Sequence, residues 1–111
     1  MNIRSNELVK EYTKMIICSY LYKKSDCLSN IFKQILIDGD DHIKISSPSL
    51  LVALKELENE DLVTFSGDIS KDQQNSICYE LTESGKEFYL NNYEEYIKNL
   101  MLLKDMIERK N

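Results

Sequence analysis

The stretch Ser46-Ser47-Pro48-Ser49-Leu50-Leu51-Val52-Ala53-Leu54-Lys55-Glu56-Leu57-Glu58-Asn59-Glu60-Asp61-Leu62-Val63 decides how this chain folds. Leu50, Leu54 and Leu57, assisted by Leu51, recur at four-then-three spacing, which is one apolar stripe of an α-helix. Ser47 offers a capping hydroxyl, and Pro48 sits in the first turn, where its missing N–H costs nothing. Ser46, Ser49, Val52, Ala53 and Glu56 are left facing outward. Asp61 follows the helix, and Asp is among the few residues besides Gly that tolerate a left-handed turn.

Downstream the period changes from helix to strand. Leu62-Val63-Thr64-Phe65 and Ile77-Cys78-Tyr79-Glu80-Leu81 both alternate, Val63 with Phe65 and Ile77 with Tyr79 and Leu81, as half-buried strands do. The polar run Ser66 to Asn75 between them makes a hairpin tip. Thr82 then caps a last helix whose stripe Tyr89, Tyr93, Tyr96, Leu100, Leu103 and Ile107 steps by four, three, four, three and four. That is a heptad seam, and a seam needs a partner; a twofold homodimer is the expected one. The competing expectation is that this helix folds back on the first helix of its own chain.

Upstream, Leu8, Tyr12, Met15, Ile16, Ile17, Tyr20 and Leu21 mark a helix from about Ser5, its cap, to Lys24. A second helix runs from Ser25 or Asp26, the expected cap, to Ile37, with Leu28, Ile31, Phe32, Ile35 and Leu36 on one face. It stops at Asp38-Gly39, where Gly can turn left-handed. Ile43-Lys44-Ile45 alternates and reads as a brief first strand. The whole is mainly α with a small β-hairpin: a winged helix-turn-helix with a long C-terminal dimerisation helix. The expected organisation is a winged helix-turn-helix over residues 1–82, the candidate DNA-binding part, and a dimerisation helix over 83–111, in one compact unit.

Two segments carry a family resemblance. Leu50, Leu54, Leu57 and Leu62, flanked by Ser47 and Val63, fit the leucines of an S-x-G-T-L-Y-x-x-L-x-x-L-x-x-x-G-L pattern, and Tyr79, Leu81, Thr82 and Gly85 fit Y-x-L-T-x-x-G. On these residues the chain resembles the PadR family of bacterial winged-helix transcriptional regulators, well over Ser46 to Tyr89 and elsewhere only in layout. Leu51 stands where the family usually has Tyr, and Asp61 where it usually has Gly. The resemblance implies a homodimeric, sequence-specific double-stranded DNA-binding regulator, a repressor, on a pseudo-palindromic site.

Composition narrows the function classes. The 111 residues, 42% hydrophobic and 30% charged, suit one folded domain and not a disordered chain. No apolar run approaches the roughly 20 residues that span a bilayer, and no secretion signal is legible. The resemblance implies a cytoplasmic, prokaryotic protein, nucleoid- or plasmid-associated. Cys18, Cys27 and Cys78 share no C-x-x-C spacing and read as small core hydrophobes, with a thiol switch as the alternative. The lone His42 has no partners for zinc, and Asp38-Gly39-Asp40-Asp41 lacks a calcium-loop pattern. No metal or cofactor is expected. Nor is catalysis, since no nucleophile–base pair or phosphate loop is present.

For duplex DNA, Ser46, Ser47 and Ser49 at the third helix's start offer hydroxyls to phosphate or base edges, beside the positive end of the helix. Lys44, Lys55 and Lys71 would neutralise phosphates, and Gln73, Gln74 and Asn75 at the hairpin tip are amides able to read bases. Capping alone would equally account for the serines, and an ordinary polar loop for the amides. Tyr89, Tyr93, Tyr96, Leu100, Leu103 and Ile107 form the expected dimer interface; its tyrosines would either pack the seam or frame a pocket for a small-molecule effector.

Charge opposes DNA. The chain is formally −5, and residues 45–111 hold seven Lys/Arg against thirteen Asp/Glu, a net −6 in the half with the reading helix. Either the acids lie away from DNA, or Lys10, Lys14, Lys23, Lys24 and Lys33 supply positive charge. Two other readings keep the fold: a plasmid or phage partition or replication protein, and an acidic interaction module that does not bind DNA. The acidic helix and wing of that module would bind a basic protein or mimic nucleic acid, with Glu56 and Glu60 beside only Lys55 on the third helix as its mark.

Overall fold

A computed structural model describes residues 6–40, 42–70 and 76–109. The chain runs α1 (Asn6–Lys23), β1 (Asp26–Cys27), α2 (Leu28–Asp38), α3 (Ser47–Asn59), β2 (Val63–Ser70), β3 (Ser76–Leu81) and α4 (Glu83–Glu108). The three strands form one antiparallel sheet in the order β1-β3-β2. Ile17, Cys18 and Leu21 of α1, Ile31 and Ile35 of α2, and Leu50, Ala53, Leu54 and Leu57 of α3 make the core. Val63, Tyr79 and Leu81 close it from the sheet. This is the mainly α, winged helix-turn-helix arrangement that the periodicities predict.

The first strand is elsewhere than expected. Ile43-Lys44-Ile45 is irregular, with Ile45 buried and Ile43 exposed. The third strand is instead Asp26–Cys27, which pairs with Tyr79 and Cys78. Alternation states which side chains point inward; it does not say whether a pairing edge is within reach. Asp26 therefore does not cap α2. Cys27 holds the N-cap position, and the Asp26 carboxylate accepts from the Cys27 N–H (2.8 Å) and from the Asn30 amide (2.9 Å). After α2 it is Asp40 that turns left-handed (φ 50°), while Gly39 stays at φ −82°.

The cysteine reading needs a correction. Cys27 and Cys78, register partners across β1 and β3, are joined in a disulfide. Their 51-residue separation hid the pair, because only the strand pairing brings them face to face. Cys18 alone behaves as the expected core hydrophobe; burial pushes its thiol pKa up to about 12, so it is inert at neutral pH.

The hairpin is tied down at its base. Asp61 takes φ 62°, as its position after α3 predicts. Thr82 caps α4, accepting from the Gly85 N–H at 2.9 Å, and its hydroxyl donates to the Asp61 carbonyl at 2.6 Å. The Thr82 N–H bonds the Leu62 carbonyl at 3.0 Å, and Gly85 lies so close that a Cβ there would overlap that oxygen. Farther out the hairpin leaves the core, so Phe65 and Ile77 are exposed although Val63, Tyr79 and Leu81 on the same strands are buried. Phe65 rests on the ring of Tyr79, its partner across the ladder. No helix among the described residues is long and apolar enough to cross a membrane.

Candidate nucleic-acid interface

The serine cluster at the start of α3 is built by capping. Ser46, not Ser47, is the N-cap: its hydroxyl oxygen accepts from the Ser49 N–H at 3.2 Å and lies 2.9 Å from the Ser49 hydroxyl. Ser47 and Pro48 are then the first two helical residues. All three serines remain exposed. Where Ser46 donates to Ser49, the Ser49 proton stays available to an outside acceptor.

Two positions on α3 exchange roles. Leu51 is exposed, while Ala53 is fully buried beside Leu50, Leu54 and Leu57. At about 100° per residue, Ala53 lies on the flank that leads to Glu56 and Glu60, and both of those acids meet α1. Lys10 lies 3.2 Å and 3.4 Å from the two Glu56 oxygens, the shorter contact being an ion pair without good hydrogen-bond angles. Lys14 pairs with Glu60 at 2.9 Å and approaches Glu11 at 3.9 Å. Burial by itself would lower the pKa of the Lys14 ammonium. The Glu60 hydrogen bond and the charges of Glu11, Glu60 and Glu56 outweigh it and hold the group above the ordinary lysine value.

This clamp answers the charge objection in part. The third acid of the helix, Glu58, acts on the Tyr79 phenol, which burial first and Glu58 second push upward. The side opposite the buried stripe is left to Pro48, Val52, Lys55 and Asn59, with Leu51 at its edge, and carries no carboxylate. The same clamp occupies Lys10 and Lys14, so they are not free to serve a binding face; Lys23, Lys24 and Lys33 are exposed. A sequence signal for the clamp exists. Lys10 and Lys14 are spaced by four, and so are Glu56 and Glu60, which puts each pair on one helix face.

Lys44 and Lys55 are exposed, Lys44 in the segment just before α3. Lys71, Gln73, Gln74 and Asn75 lie outside the described residues. The described serines and lysines thus gather at the start and outer side of α3.

The tyrosines expected in a dimer seam are engaged within the protomer. The Tyr96 hydroxyl donates to Glu11 at 3.0 Å, and burial first, then that hydrogen bond, pushes its pKa up to about 12. Tyr12 donates to the Tyr96 carbonyl at 3.3 Å and meets its ring edge-on. Tyr89 packs on Tyr22 and stacks on Tyr93. So the first half of α4 does fold back on α1. Beyond it Ile97, Leu100, Met101, Leu102, Leu103, Met106 and Ile107 are all exposed. These seven surround nearly the whole helix, a wider apolar surface than one seam.

Solved structures share this architecture. A transcriptional regulator from Clostridium thermocellum is similar at TM-score 0.76 and 21% identity, covering 96% of this chain and 100% of that one. A PadR-family transcription regulator from Clostridium difficile matches at TM-score 0.65 and 23% identity, over 86% of this chain and 98% of that one. A PadR-like regulator from Bacillus cereus matches at TM-score 0.73 and 12% identity, over 94% and 99%. The chain has the PadR-like winged-helix fold. No family model matches the chain, and no curated protein matches it. In the PadR-like fold the β2–β3 hairpin is the wing. Among the described residues no group of three or more His, Cys, Asp or Glu is placed to hold a metal ion.

Proposed function

We propose that this chain is a homodimeric, sequence-specific double-stranded DNA-binding transcriptional regulator, acting as a repressor. One observation carries the reading: the start of α3 bears exposed hydroxyls and its outer side bears Lys55 and no carboxylate, while Glu56 and Glu60 lie on the flank paired with Lys10 and Lys14. The helix start with Ser46, Ser47 and Ser49 meets phosphate and base edges. Lys44, Lys55 and the wing's Lys71 neutralise phosphates, and Gln73, Gln74 and Asn75 reach the flanking groove. The exposed apolar end of α4 supports the dimer, since a helix apolar on most sides needs cover. Leu100, Leu103 and Ile107 lie in that contact. Two reading helices then enter successive major grooves of a pseudo-palindrome, about 34–36 Å apart.

The acidic interaction module loses part of its support, because Glu56 and Glu60, its mark on α3, are engaged by α1. An effector pocket is not part of the proposal, since the tyrosine rings pack on one another and on α1. A partition or replication role shares the same chemistry and differs only in the site bound.

The test is an anisotropy titration of duplex from upstream of its own gene at about 50 and 200 mM salt, a range over which phosphate contacts weaken binding steeply. Three lysines per protomer give a slope of log affinity against log salt near −5 for a dimer. The Lys55→Glu, Lys71→Glu double variant should bind far more weakly and with a shallower slope. Absence of binding at the lower salt refutes the DNA reading; equal binding by both proteins moves the contacts to Lys23, Lys24 and Lys33.

A further inference from the structure

The side of α3 offered to solvent is not uniformly polar. Leu51 is 41% exposed and Val52 53% exposed, in the second turn, between the serines and Lys55. An aliphatic pair in that place has no role in the core, which Leu50, Ala53, Leu54 and Leu57 fill. Resting on the DNA-binding reading above, we propose that Leu51 and Val52 are specificity residues that contact the 5-methyl groups of thymines in the major groove, so that each half-site holds T·A pairs beneath them.

Three arguments lead there. When the start of a reading helix enters the major groove, its first two turns are the part that reaches base edges, and Leu51 and Val52 lie in the second turn. Thymine's methyl is the one apolar group on the major-groove edge of the four bases. Placed over guanine, adenine or cytosine, the two side chains would cover donors and acceptors without replacing their hydrogen bonds, so the wrong base is rejected as well as the right one favoured. The patch is also the wrong size for a protein. Two side chains flanked by hydroxyls and a lysine fall far short of the roughly 800 Å² per partner of a stable protein interface.

The experiment begins with duplexes selected by the intact protein from a randomised library. The enriched duplex is resynthesised with uracil for thymine, which removes the methyl and keeps base pairing. Titrations compare the two duplexes for the wild-type protein and for the Leu51→Ala, Val52→Ala variant. Both positions are exposed and alanine favours helix; circular dichroism confirms the fold.

The wild-type protein should bind the uracil duplex about fourfold more weakly per contacted methyl, the value of one buried carbon. That ratio should hold when salt is raised, because removing a methyl changes no phosphate contact. The variant should bind the thymine duplex more weakly and treat both duplexes alike. Equal wild-type affinity for the two duplexes overturns the proposal. So does a variant that keeps the wild-type ratio, or one whose only change is a lower oligomeric state, which would make the patch a contact between copies. If no duplex is enriched at all, the DNA reading falls and this inference falls with it; enrichment without discrimination removes this inference alone.

Discussion

Replacing Leu100 and Leu103 with glutamine isolates the dimer from the fold. Glutamine forms helix about as readily as leucine, so α4 should persist while its apolar surface shrinks. Within one protomer Leu100 is 45% exposed and Leu103 37% exposed. Fully burying a leucine contributes about 2 kcal/mol. The fractions still open therefore amount to roughly 1.6 kcal/mol per chain if a partner covers them. A twofold interface counts each residue twice, giving about 3 kcal/mol and a dissociation constant raised on the order of 150-fold. Sedimentation velocity over a concentration series reads this directly, with far-ultraviolet circular dichroism checking that helix content is kept. The variant should also bind a single half-site in place of the full palindrome. If the variant associates as tightly as the wild type, the exposed end of α4 is not the interface. If the wild type sediments as one chain at every concentration, the dimer itself is refuted.

Gly85→Ala should destabilise the fold despite alanine's better helix propensity, because the methyl would overlap a Leu62 carbonyl already fixed by the Thr82 N–H. Overpacking of this kind costs about 2 kcal/mol, so thermal denaturation should show Tm lowered on the order of 10 °C; an unchanged Tm contradicts the close packing. Asp38 is held below the ordinary carboxylate range by the Tyr20 hydroxyl first (2.7 Å) and the Gln34 amide second (2.8 Å). Its folded value being depressed, its contribution is complete above the unfolded value and is lost as pH falls through the lower folded one. Carboxyl NMR of Tyr20→Phe should show Asp38 titrating closer to the ordinary aspartate value, and an unmoved curve would remove Tyr20 as the cause. Protein denatured without reductant should present one thiol, Cys18, and three after reduction. Closing a 51-residue separation should make the oxidised form more stable by about 3–5 kcal/mol; three thiols before reduction would show the Cys27–Cys78 bond absent.

Much of the frame was legible because it is written locally. The leucine spacing of α3, the Thr82 cap, the alternation of β2 and β3 and the positive φ of Asp61 depend on residues a few positions apart. Such features follow from helix and strand periods and from which residues tolerate a given backbone angle. The serine and lysine cluster was found the same way, although the cap moved by one residue to Ser46.

Contacts between segments far apart in the chain followed another logic. Asp26–Cys27 became a strand because β3 offered an open edge there, while Ile43-Lys44-Ile45, with the better alternation, had none to join. The same pairing brought Cys27 to Cys78. Packing of α1 across α3 buried Ala53, exposed Leu51 and turned Glu56 and Glu60 from apparent obstacles to DNA into half of an internal ion-pair clamp. Likewise α1 took up Tyr89 and Tyr96 and left the end of α4 bare. Periodicity tells a residue which way to face along its own helix or strand. What it meets there is set by how elements remote in sequence pack, and in this protein that packing decides which charges and which apolar groups α3 presents.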